Sequence, residues 1–464
     1  MISSSQLHLN QYSLQIISKY FDSVDDYANL IKTCKEYKCI IDTYTFNPIP
    51  ILDLSIFKNI KTQHVYENEG VKSFISNPQI INYVCWRKYY LSKMKHRRQN
   101  TIFKNIILDK YRPETVATDL LNCIEIDDDT FNDNINIKEI SLPTTITRLG
   151  NRCFKDCHQL SKIELSNTIK LMDSDCFANC SNLTEIIIPE SVIEINNDCF
   201  YGCSNLIKIE FNTNNLKELS DECFKHCGIG EIKIPKYITR IGTDCFQKCT
   251  YLTKIELNEN LIKLGKGCFS NCEALSDIVL STSLIKLKSF TFWDCFNLKE
   301  IEIPKSITKI ENDCFNECVN LTRIILNEGL QIIGDRCFSA CANLNSIKLP
   351  NTLTELGGGC FMKCSNLTHI IIPTLLNEIQ HQTFKECRNL KEIEIPKNIT
   401  KISFSVFWNC TSLSRIKLND GLKELGENCF YNCENLSDLA IPSTTTSISF
   451  NTFNGCSKLH IKQF

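Results

Sequence analysis

A phenylalanine recurs along this chain at nearly constant intervals between residues 131 and 453. The spacing is 23 residues, apart from one step of 24 and a following step of 22 around Phe224. The fifteen positions are Phe131, Phe154, Phe177, Phe200, Phe224, Phe246, Phe269, Phe292, Phe315, Phe338, Phe361, Phe384, Phe407, Phe430 and Phe453. Self-similarity at a fixed period of roughly 20 to 50 residues indicates a repeat architecture rather than one compact core. Each period therefore predicts one coil of a solenoid.

Every coil repeats the same apolar positions around its phenylalanine. In the coil of Phe315 the other inward residues are predicted to be Cys314, Cys318, Leu321, Ile324, Leu326, Leu330 and Ile333. The segment LTRIIL alternates as a half-buried strand does, and Pro, Ser or Asn follows the strand because these residues favour turns. A second short extended segment, such as SITKI at 306–310, comes next. Stacking merges the apolar rows, so we expect about fifteen coils with parallel strands.

One coil shows the complete pattern on which a family resemblance depends. Residues 183–203, LTEIIIPESVIEINNDCFYGC, read L-x-x-I-x-[IL]-P-x-x-[IV]-x-x-I-x-x-x-C-F-x-x-C. This pattern resembles the BspA-type leucine-rich repeat, and the resemblance covers about residues 126–464. It implies a leucine-rich-repeat solenoid that binds other proteins, in a family whose members are often surface proteins.

The sequence offers little that points to catalysis. It contains no nucleophile–base set, Gly-rich phosphate loop or metal-protease motif, so we expect a non-enzymatic protein-interaction or adhesion module without a cofactor. The formal net charge of −2 argues against nucleic acid as a partner of the whole protein. The start, MISSSQLHLNQYSLQIISKYF, lacks the pattern of a signal peptide, and no apolar run reaches membrane-spanning length. We therefore expect a cytoplasmic location, with the cell surface as the alternative that the resemblance implies.

Twenty-four of the 28 cysteines flank the repeated phenylalanine. The position before it is also occupied by Thr or Val, as at Thr291 and Val406, which indicates a small buried side chain rather than a thiolate. The alternative is metal binding by C-x-x-x-C, with His226 beside Cys227 as a further ligand. Structural zinc needs a second converging pair of ligands, which the pattern lacks, so we predict packing positions without metal.

Outward positions of the strands are where a repeat protein usually binds. The column two residues after the strand leucine alternates in sign through Glu139, Lys162, Glu185, Lys208, Glu231 and Lys254, which predicts favourable pairs between neighbouring coils. The next outward column also contains apolar residues. The candidate partner-binding patch consists of Arg323, Ile325, Lys348, His369 and Ile371. The alternative is that these are scattered surface residues, which are normal in soluble proteins.

Residues 1–125 lack the repeat and are predicted to form a small, mainly α-helical domain that caps the first coil. Ser23 is the expected N-cap of one helix. Residues 9–38 look like an F-box, whose candidate adaptor-binding positions are Leu9, Leu14, Ile17, Tyr20, Phe21 and Leu30. That resemblance implies a substrate receptor of a ubiquitin ligase as the alternative function, although a generic helical cap explains the same residues.

Two further segments carry expectations. The basic run WRKYYLSKMKHRR at 86–98 is interpreted as the polar end of a helix, with nucleic acid or acidic lipid binding as the alternative. The repeats stop within a coil at Phe453, Cys456, Leu459 and Ile461. An open solenoid end leaves an unpaired strand edge, so we expect either fraying of the last coil or end-to-end self-association.

Overall fold

The computed structural model describes residues 24–33, 37, 44, 60–65, 82–90, 101–109 and 120–463. The chain divides into two compact units, Met1–Thr130 and Phe131–Phe464. Within the described ranges, every helix is too short or too polar to span a lipid bilayer.

The first unit contains one helix and four strands among its described residues. They are α1 (Val24–Thr33), β1 (Thr62–Val65), β2 (Asn82–Tyr90), β3 (Thr101–Leu108) and β4 (Cys123–Ile126). The strands are parallel neighbours in chain order, with β1 beside β2, β2 beside β3 and β3 beside β4. Tyr27 of α1 is buried and meets Tyr44 edge to face at 6.3 Å between ring centroids.

Among the described residues of this unit, four strands accompany one helix, whereas the sequence predicted a mainly helical domain. Helix α1 lies within the expected helical segment, but the basic run at 86–98 begins inside β2 and not in a helix. The sequences NYVCWRKYY and TIFKNIIL are rich in β-branched and aromatic residues, which favour strands once a parallel neighbour is present. Short apolar runs fit a helix or a strand equally well in the sequence alone.

The second unit is built from two rows of short strands. The first row comprises β5 (Glu139–Ser141), β7 (Lys162–Glu164), β9 (Glu185–Ile188), β11 (Lys208–Phe211), β13 (Glu231–Lys233), β15 (Lys254–Glu256), β17 (Asp277–Val279), β19 (Glu300–Glu302), β21 (Arg323–Ile325), β23 (Ser346–Ile347), β25 (His369–Ile370), β27 (Glu392–Glu394), β29 (Arg415–Lys417), β31 (Asp438–Ile441) and β33 (His460–Gln463). The second row comprises β6 (Arg148–Leu149), β8 (Leu171–Met172), β10 (Glu194–Ile195), β12 (Glu218–Leu219), β14 (Arg240–Ile241), β16 (Lys263–Leu264), β18 (Lys286–Leu287), β20 (Lys309–Ile310), β22 (Ile332–Ile333), β24 (Glu355–Leu356), β26 (Glu378–Ile379), β28 (Lys401–Ile402), β30 (Glu424–Leu425) and β32 (Ser447–Ile448).

Within each row, a strand pairs in parallel with the equivalent strand of a neighbouring coil. Lys208 pairs with Glu185 in the first row, and Arg240 pairs with Lys263 in the second. The inward residues of these strands, such as Ile186 and Leu264, are buried, while the residues next to them in the same strand face solvent. The prediction of a parallel leucine-rich-repeat solenoid with coils of about 23 residues is confirmed.

The repeated phenylalanines form one continuous stack through the interior. Neighbouring rings are 4.9 to 5.8 Å apart between centroids and within 19° of parallel. Offset stacking of this kind adds to the stabilisation that comes from burying each ring. One apolar column thus joins all the coils from Phe131 to Phe453.

The segment around each phenylalanine is a third ladder, which the sequence did not reveal. Residues two places before and two places after the phenylalanine have positive φ in every coil, as Asp313 and Glu317 do at 55° and 65° around Phe315. Asp, Asn and Gly are common at both positions because they tolerate this conformation. Positive φ at these positions turns the backbone N–H groups of Asp313, Phe315 and Glu317 towards the next coil. Each donates to a backbone carbonyl there, with N···O distances of 2.8 to 2.9 Å. The turn around each phenylalanine is therefore hydrogen-bonded from coil to coil.

In eight coils an asparagine directly precedes the strand leucine. Four of these side chains bond one another in successive coils: Asn343 donates to Asn320, Asn366 to Asn343 and Asn389 to Asn366, at 3.1 to 3.2 Å. Asn435 instead donates to the backbone carbonyl of Thr411. Side-chain amides carry both a donor and an acceptor, so they can form a ladder of their own.

Candidate functional site

The outward residues of the first-row strands form the surface that we call the strand face. Residues of adjacent coils lie directly opposite each other there, as Glu300 does with Arg323 and Glu392 with Arg415. The alternating column that the sequence predicted is therefore a real row of neighbours. Its ion pairs run both across and along the strands, since Arg323 contacts Glu300 at 3.5 Å while Lys254 contacts Glu256 of its own strand at 3.2 Å.

The five residues of the predicted patch occupy three successive coils of the strand face. Arg323 and Ile325 lie on β21, Lys348 follows β23, and His369 and Ile371 lie on and directly after β25. Ile371 is 71% exposed and Ile325 is 39% exposed. Both isoleucines therefore face solvent, as predicted.

Two surface depressions divide the patch between them. One of about 740 Å³ is lined by Ile325, Lys348, Glu302 and Glu328. The other, of about 840 Å³, is lined by His369 and Ile371 together with residues of the next two coils, which are Glu392, Glu394, Arg415 and Lys417 among others. Arg323 lines neither depression. The structure thus places four of the five predicted residues in two concavities on neighbouring coils, with one exposed isoleucine in each.

The cations of the patch are positioned by nearby carboxylates. Lys348 contacts Glu328 at 2.9 Å, and Glu328 also accepts a hydrogen bond from the backbone N–H of Asn351 at 3.2 Å. These two hydrogen bonds lower the pKa of the Glu328 carboxyl, with the Lys348 bond as the larger cause. The backbone of His369 pairs with Ser346 of β23, but its imidazole ring makes no hydrogen bond or ion pair with any other described residue and is available to a ligand.

The balance of charge changes locally at the patch. The outward strand positions on either side of it are acidic, with Glu300 and Glu302 before it and Glu392 and Glu394 after it. Across the three patch coils the corresponding positions carry only cationic, apolar or neutral side chains. The patch is therefore a cationic and apolar zone between two acidic borders, and it presents apolar surface that water does not stabilise.

Two loop residues that complete these depressions were not predicted from the sequence. Glu328 and Lys397 lie in the turns that follow the first-row strands, away from the strand positions to which the columns were confined. Extending the same 23-residue alignment from the strands into the turns would have placed both residues beside the patch.

The cysteines after the phenylalanines have a role that packing alone does not describe. Each Sγ donates to the backbone carbonyl of the phenylalanine in the previous coil, as Cys318 does to Phe292 and Cys341 to Phe315, at 3.1 and 3.2 Å. Burial raises the pKa of most of these thiols, that of Cys157 and Cys249 to about 12, so they remain protonated donors near neutral pH.

This geometry does not favour the metal alternative at Cys227 and His226. The Cys227 thiol donates to the carbonyl of Phe200 at 3.1 Å, and burial raises its pKa far above the usual range, whereas a metal needs the thiolate. Burial and the charge of Lys248 lower the pKa of His226, whose ring meets Tyr201 edge to face. Across the part of the chain that the structure describes, no three His, Cys, Asp or Glu side chains converge as a metal site would require.

The candidate adaptor-binding residues are mostly beyond what the structure describes. Leu9, Leu14, Ile17, Tyr20 and Phe21 lie outside the described residues, and Leu30 is half-buried within α1. The F-box interpretation and the predicted self-association of coil ends both stay predictions.

The coils match one protein-family model. The family model described as BspA type leucine rich repeat region matches in six copies, over residues 124–253, 239–368 and 331–460. A search of curated protein sequences found no match.

Solved structures with the same kind of fold come from several bacteria. A leucine-rich repeat protein from Bacteroides ovatus is 24% identical over 74% of this chain and 88% of its own, with a TM-score of 0.49. A leucine rich cell surface protein from Faecalibacterium prausnitzii is 20% identical over 81% of this chain and 82% of its own, with a TM-score of 0.36. The pneumococcal vaccine antigen PcpA is 16% identical over 82% and 90%, with a TM-score of 0.42.

The family model spans most of the chain, and its repeats coincide with the coils that carry the phenylalanine stack, the buried cysteines and the paired strands. This protein belongs to the BspA-type leucine-rich-repeat family.

Proposed function

We propose that the strand face binds a protein ligand at the patch formed by Arg323, Ile325, Lys348, His369 and Ile371. The observation that supports this most directly is the pair of depressions, each with a solvent-facing isoleucine. The match to BspA-type leucine-rich repeats supports a protein-interaction role. An exposed apolar side chain within a concavity is a typical anchor point for a partner's own apolar residue.

The chemistry of the patch defines what the ligand offers. Between its acidic borders the patch presents cations and isoleucines, so a segment with carboxylates and aliphatic or aromatic side chains complements it. Such complementarity selects partners and speeds association more than it adds to affinity. The apolar contacts at Ile325 and Ile371 provide the affinity, because burying each removes aliphatic surface from water.

Selection from a random peptide library tests this proposal even though the ligand is unidentified. Peptides enriched on the full-length protein should combine acidic and apolar residues. Replacing Ile371→Asp should weaken their binding by about tenfold or more, since this loses an anchor contact and places a carboxylate against acidic peptides. Val279→Asp is the matched control, because Val279 is 76% exposed in the same column but lies outside the patch.

Equal loss of binding in both variants would refute a specific patch, as would enriched peptides that lack acidic residues.

We infer that the solenoid is displayed at the cell surface, where it acts as an adhesion module. Antibody staining of unpermeabilised cells would reveal the protein if this is correct. An adaptor of a ubiquitin ligase recovered with the full-length chain from the cytoplasm would favour the substrate-receptor function instead.

A further inference from the structure

Four basic residues lie in one line on the second row of strands. Arg240, Lys263, Lys286 and Lys309 are the outward residues of β14, β16, β18 and β20, which occupy successive coils. Arg240 lies directly opposite Lys263, and Lys286 lies directly opposite Lys309. With about 4.8 Å between neighbouring coils, this basic row is about 15 Å long.

The cations of the row are only partly neutralised. Arg240 approaches Glu218 at 3.7 Å and Lys286 approaches Glu311 at 3.6 Å, both at the long end of ion-pair distances. Lys263 and Lys309 form no ion pair within the described part of the chain. Like charges directly opposite each other on neighbouring strands are destabilising.

The stability of the fold does not require this arrangement. On the strand face of the same molecule, the charges of neighbouring coils alternate in sign, as from Glu231 to Lys254 and Asp277. Acidic residues end the row on one side at Glu218 and recur beyond it at Glu355. A run of four cations that costs stability and stops abruptly points to a ligand that offsets the cost on binding.

The apolar neighbours of the row are also exposed. Ile262 and Ile285, each next to a lysine of the row, are 54% and 63% exposed. They form a short aliphatic strip beside the cations. The ligand therefore meets both regular positive charge and a narrow apolar surface.

We propose that the basic row binds a linear acidic polysaccharide lying along the solenoid axis. Such a polymer carries its sulfate or carboxylate groups at regular intervals, and the length of one sugar ring along the chain is comparable to the coil spacing. The anionic groups then meet one basic residue per coil. Ile262 and Ile285 pack against the apolar C–H surfaces of the rings.

The other classes of polyanion fit the row less well. An extended acidic peptide presents side chains on one side about every 6.6 Å, which does not match a coil spacing of about 4.8 Å. Single-stranded nucleic acid is bound through aromatic rings on which bases stack, whereas the exposed neighbours here are isoleucines. A lipid surface is broad and would also meet Glu218 and Glu311, whereas the row is one side chain wide.

Binding of the full-length protein to heparin, a sulfated polysaccharide, tests this proposal. The double variant Lys263→Gln/Lys286→Gln should bind heparin about tenfold more weakly at low salt, with a shallower dependence on salt. The matched control Lys208→Gln/Lys254→Gln removes the same charge from the strand face and should bind as the original protein does. Thermal melting confirms that each variant is folded, and the row variant should melt no lower than the original.

Three results would overturn the proposal. Equal weakening by both double variants would show a general effect of net charge. Unchanged heparin binding by the row variant would show that the row is not the site. If the row variant lost binding to poly(dT) or to phosphatidylserine vesicles but kept its binding to heparin, the row would be a site for nucleic acid or for a lipid surface.

Discussion

The buried turn segment and the exposed strand columns of this solenoid differ in how they use repetition. In the interior, the positions of Phe315 and Cys318 hold the same two residue types in nearly all the coils. Each coil repeats the same ring stack and the same S–H···O bond. Outside, the residue at a given position changes from coil to coil. Interior positions must match their neighbours because each coil is the binding surface for the next. Exterior positions contact solvent and are free to carry function.

A second contrast exists among the exposed columns themselves. The strand-face column around Lys208 alternates charges, and this pattern stabilises the stacking of coils. The basic row around Lys263 opposes stacking and yet persists over four coils. Residues that lower stability without an evident structural gain are those for which a binding role is the natural explanation. If both contrasts hold, changes to the interior should have the largest effects and changes to the exposed columns the smallest.

Alkaline pH should affect the interior most. Burial raises the pKa of the Cys157 and Cys249 thiols from 9.0 to about 12, and it raises the pKa of Cys272 and Cys341 as well. The folded protein keeps these protons while the unfolded chain releases them near pH 9. Stability is therefore complete below about pH 9 and falls as the pH rises towards 12. Every buried thiol with a raised pKa adds to this loss, so the melting temperature in reducing buffer should fall steeply above about pH 9.

Thiolate absorbance in the ultraviolet should appear together with unfolding. Cys456 provides the internal comparison, because it is half-buried and its side-chain interaction with Cys433 lowers its pKa. Its thiol should titrate first. If many thiols titrate near pH 9 while the protein stays folded, the interior does not hold them in the protonated state.

Removing one ring from the stack should have the next largest effect. Phe315→Ala deletes a fully buried ring that stacks on Phe292 and Phe338, and should lower the free energy of unfolding by about 3 to 5 kcal/mol. Phe296→Ala is the control, because Phe296 is 45% exposed and belongs to no stack. Urea unfolding followed by circular dichroism measures both. Similar losses from the two variants would contradict a dominant interior column.

The two cysteine positions should differ in their tolerance of substitution. Cys318→Ala removes the thiol donor to the Phe292 carbonyl and leaves that oxygen with only the backbone N–H of Cys295. The lost hydrogen bond and the lost buried sulfur together should cost about 1.5 kcal/mol. Cys314→Thr should cost less than about 1 kcal/mol. Thr291 occupies the equivalent position in another coil and donates to the carbonyl of Lys288 at 2.6 Å. The midpoints of urea unfolding rank the variants. An equal loss of stability at both positions would show that Cys318 contributes by packing and not through its S–H···O bond.

The same substitution should have opposite effects on the two exposed columns. Lys208→Glu places like charges beside Glu185 and Glu231 and should destabilise by about 0.5 kcal/mol, part of which Glu185→Lys restores. Lys263→Glu places an acid beside Arg240 and should stabilise by about 0.3 kcal/mol. Melting at low salt reveals both shifts, and added salt should reduce them. A loss of stability in both variants would remove the contrast between the columns.

The sequence predicted most of the solenoid because its period is imposed by packing. A coil that buries Leu321, Ile324 and Phe315 must present the same positions 23 residues later, so the apolar pattern specifies both the coil length and the register. The five residues of the predicted patch were chosen in the same way, as members of two outward columns. The basic row shares this period, but it lies on the second strand of each coil, outside the columns from which the patch was predicted.

The N-terminal segment could not be predicted as well. Its strands β2 and β3 carry no repeated phenylalanine or cysteine, and their apolar residues are compatible with a helix as well as a strand. A parallel neighbour, which lies beyond the local sequence, decides between the two.

The amino-acid sequence by itself determined the coil, its inward residues and its family, because a solenoid's core is a local pattern repeated. Only the tertiary structure decided how outward side chains from different coils combine. The depressions beside Ile325 and Ile371, the bond from Cys318 to Phe292 and the alternating left-handed turns all depend on backbone directions and on turn residues brought together by stacking. A linear pattern records which residues recur, but the shape of a surface depends on where neighbouring coils place them.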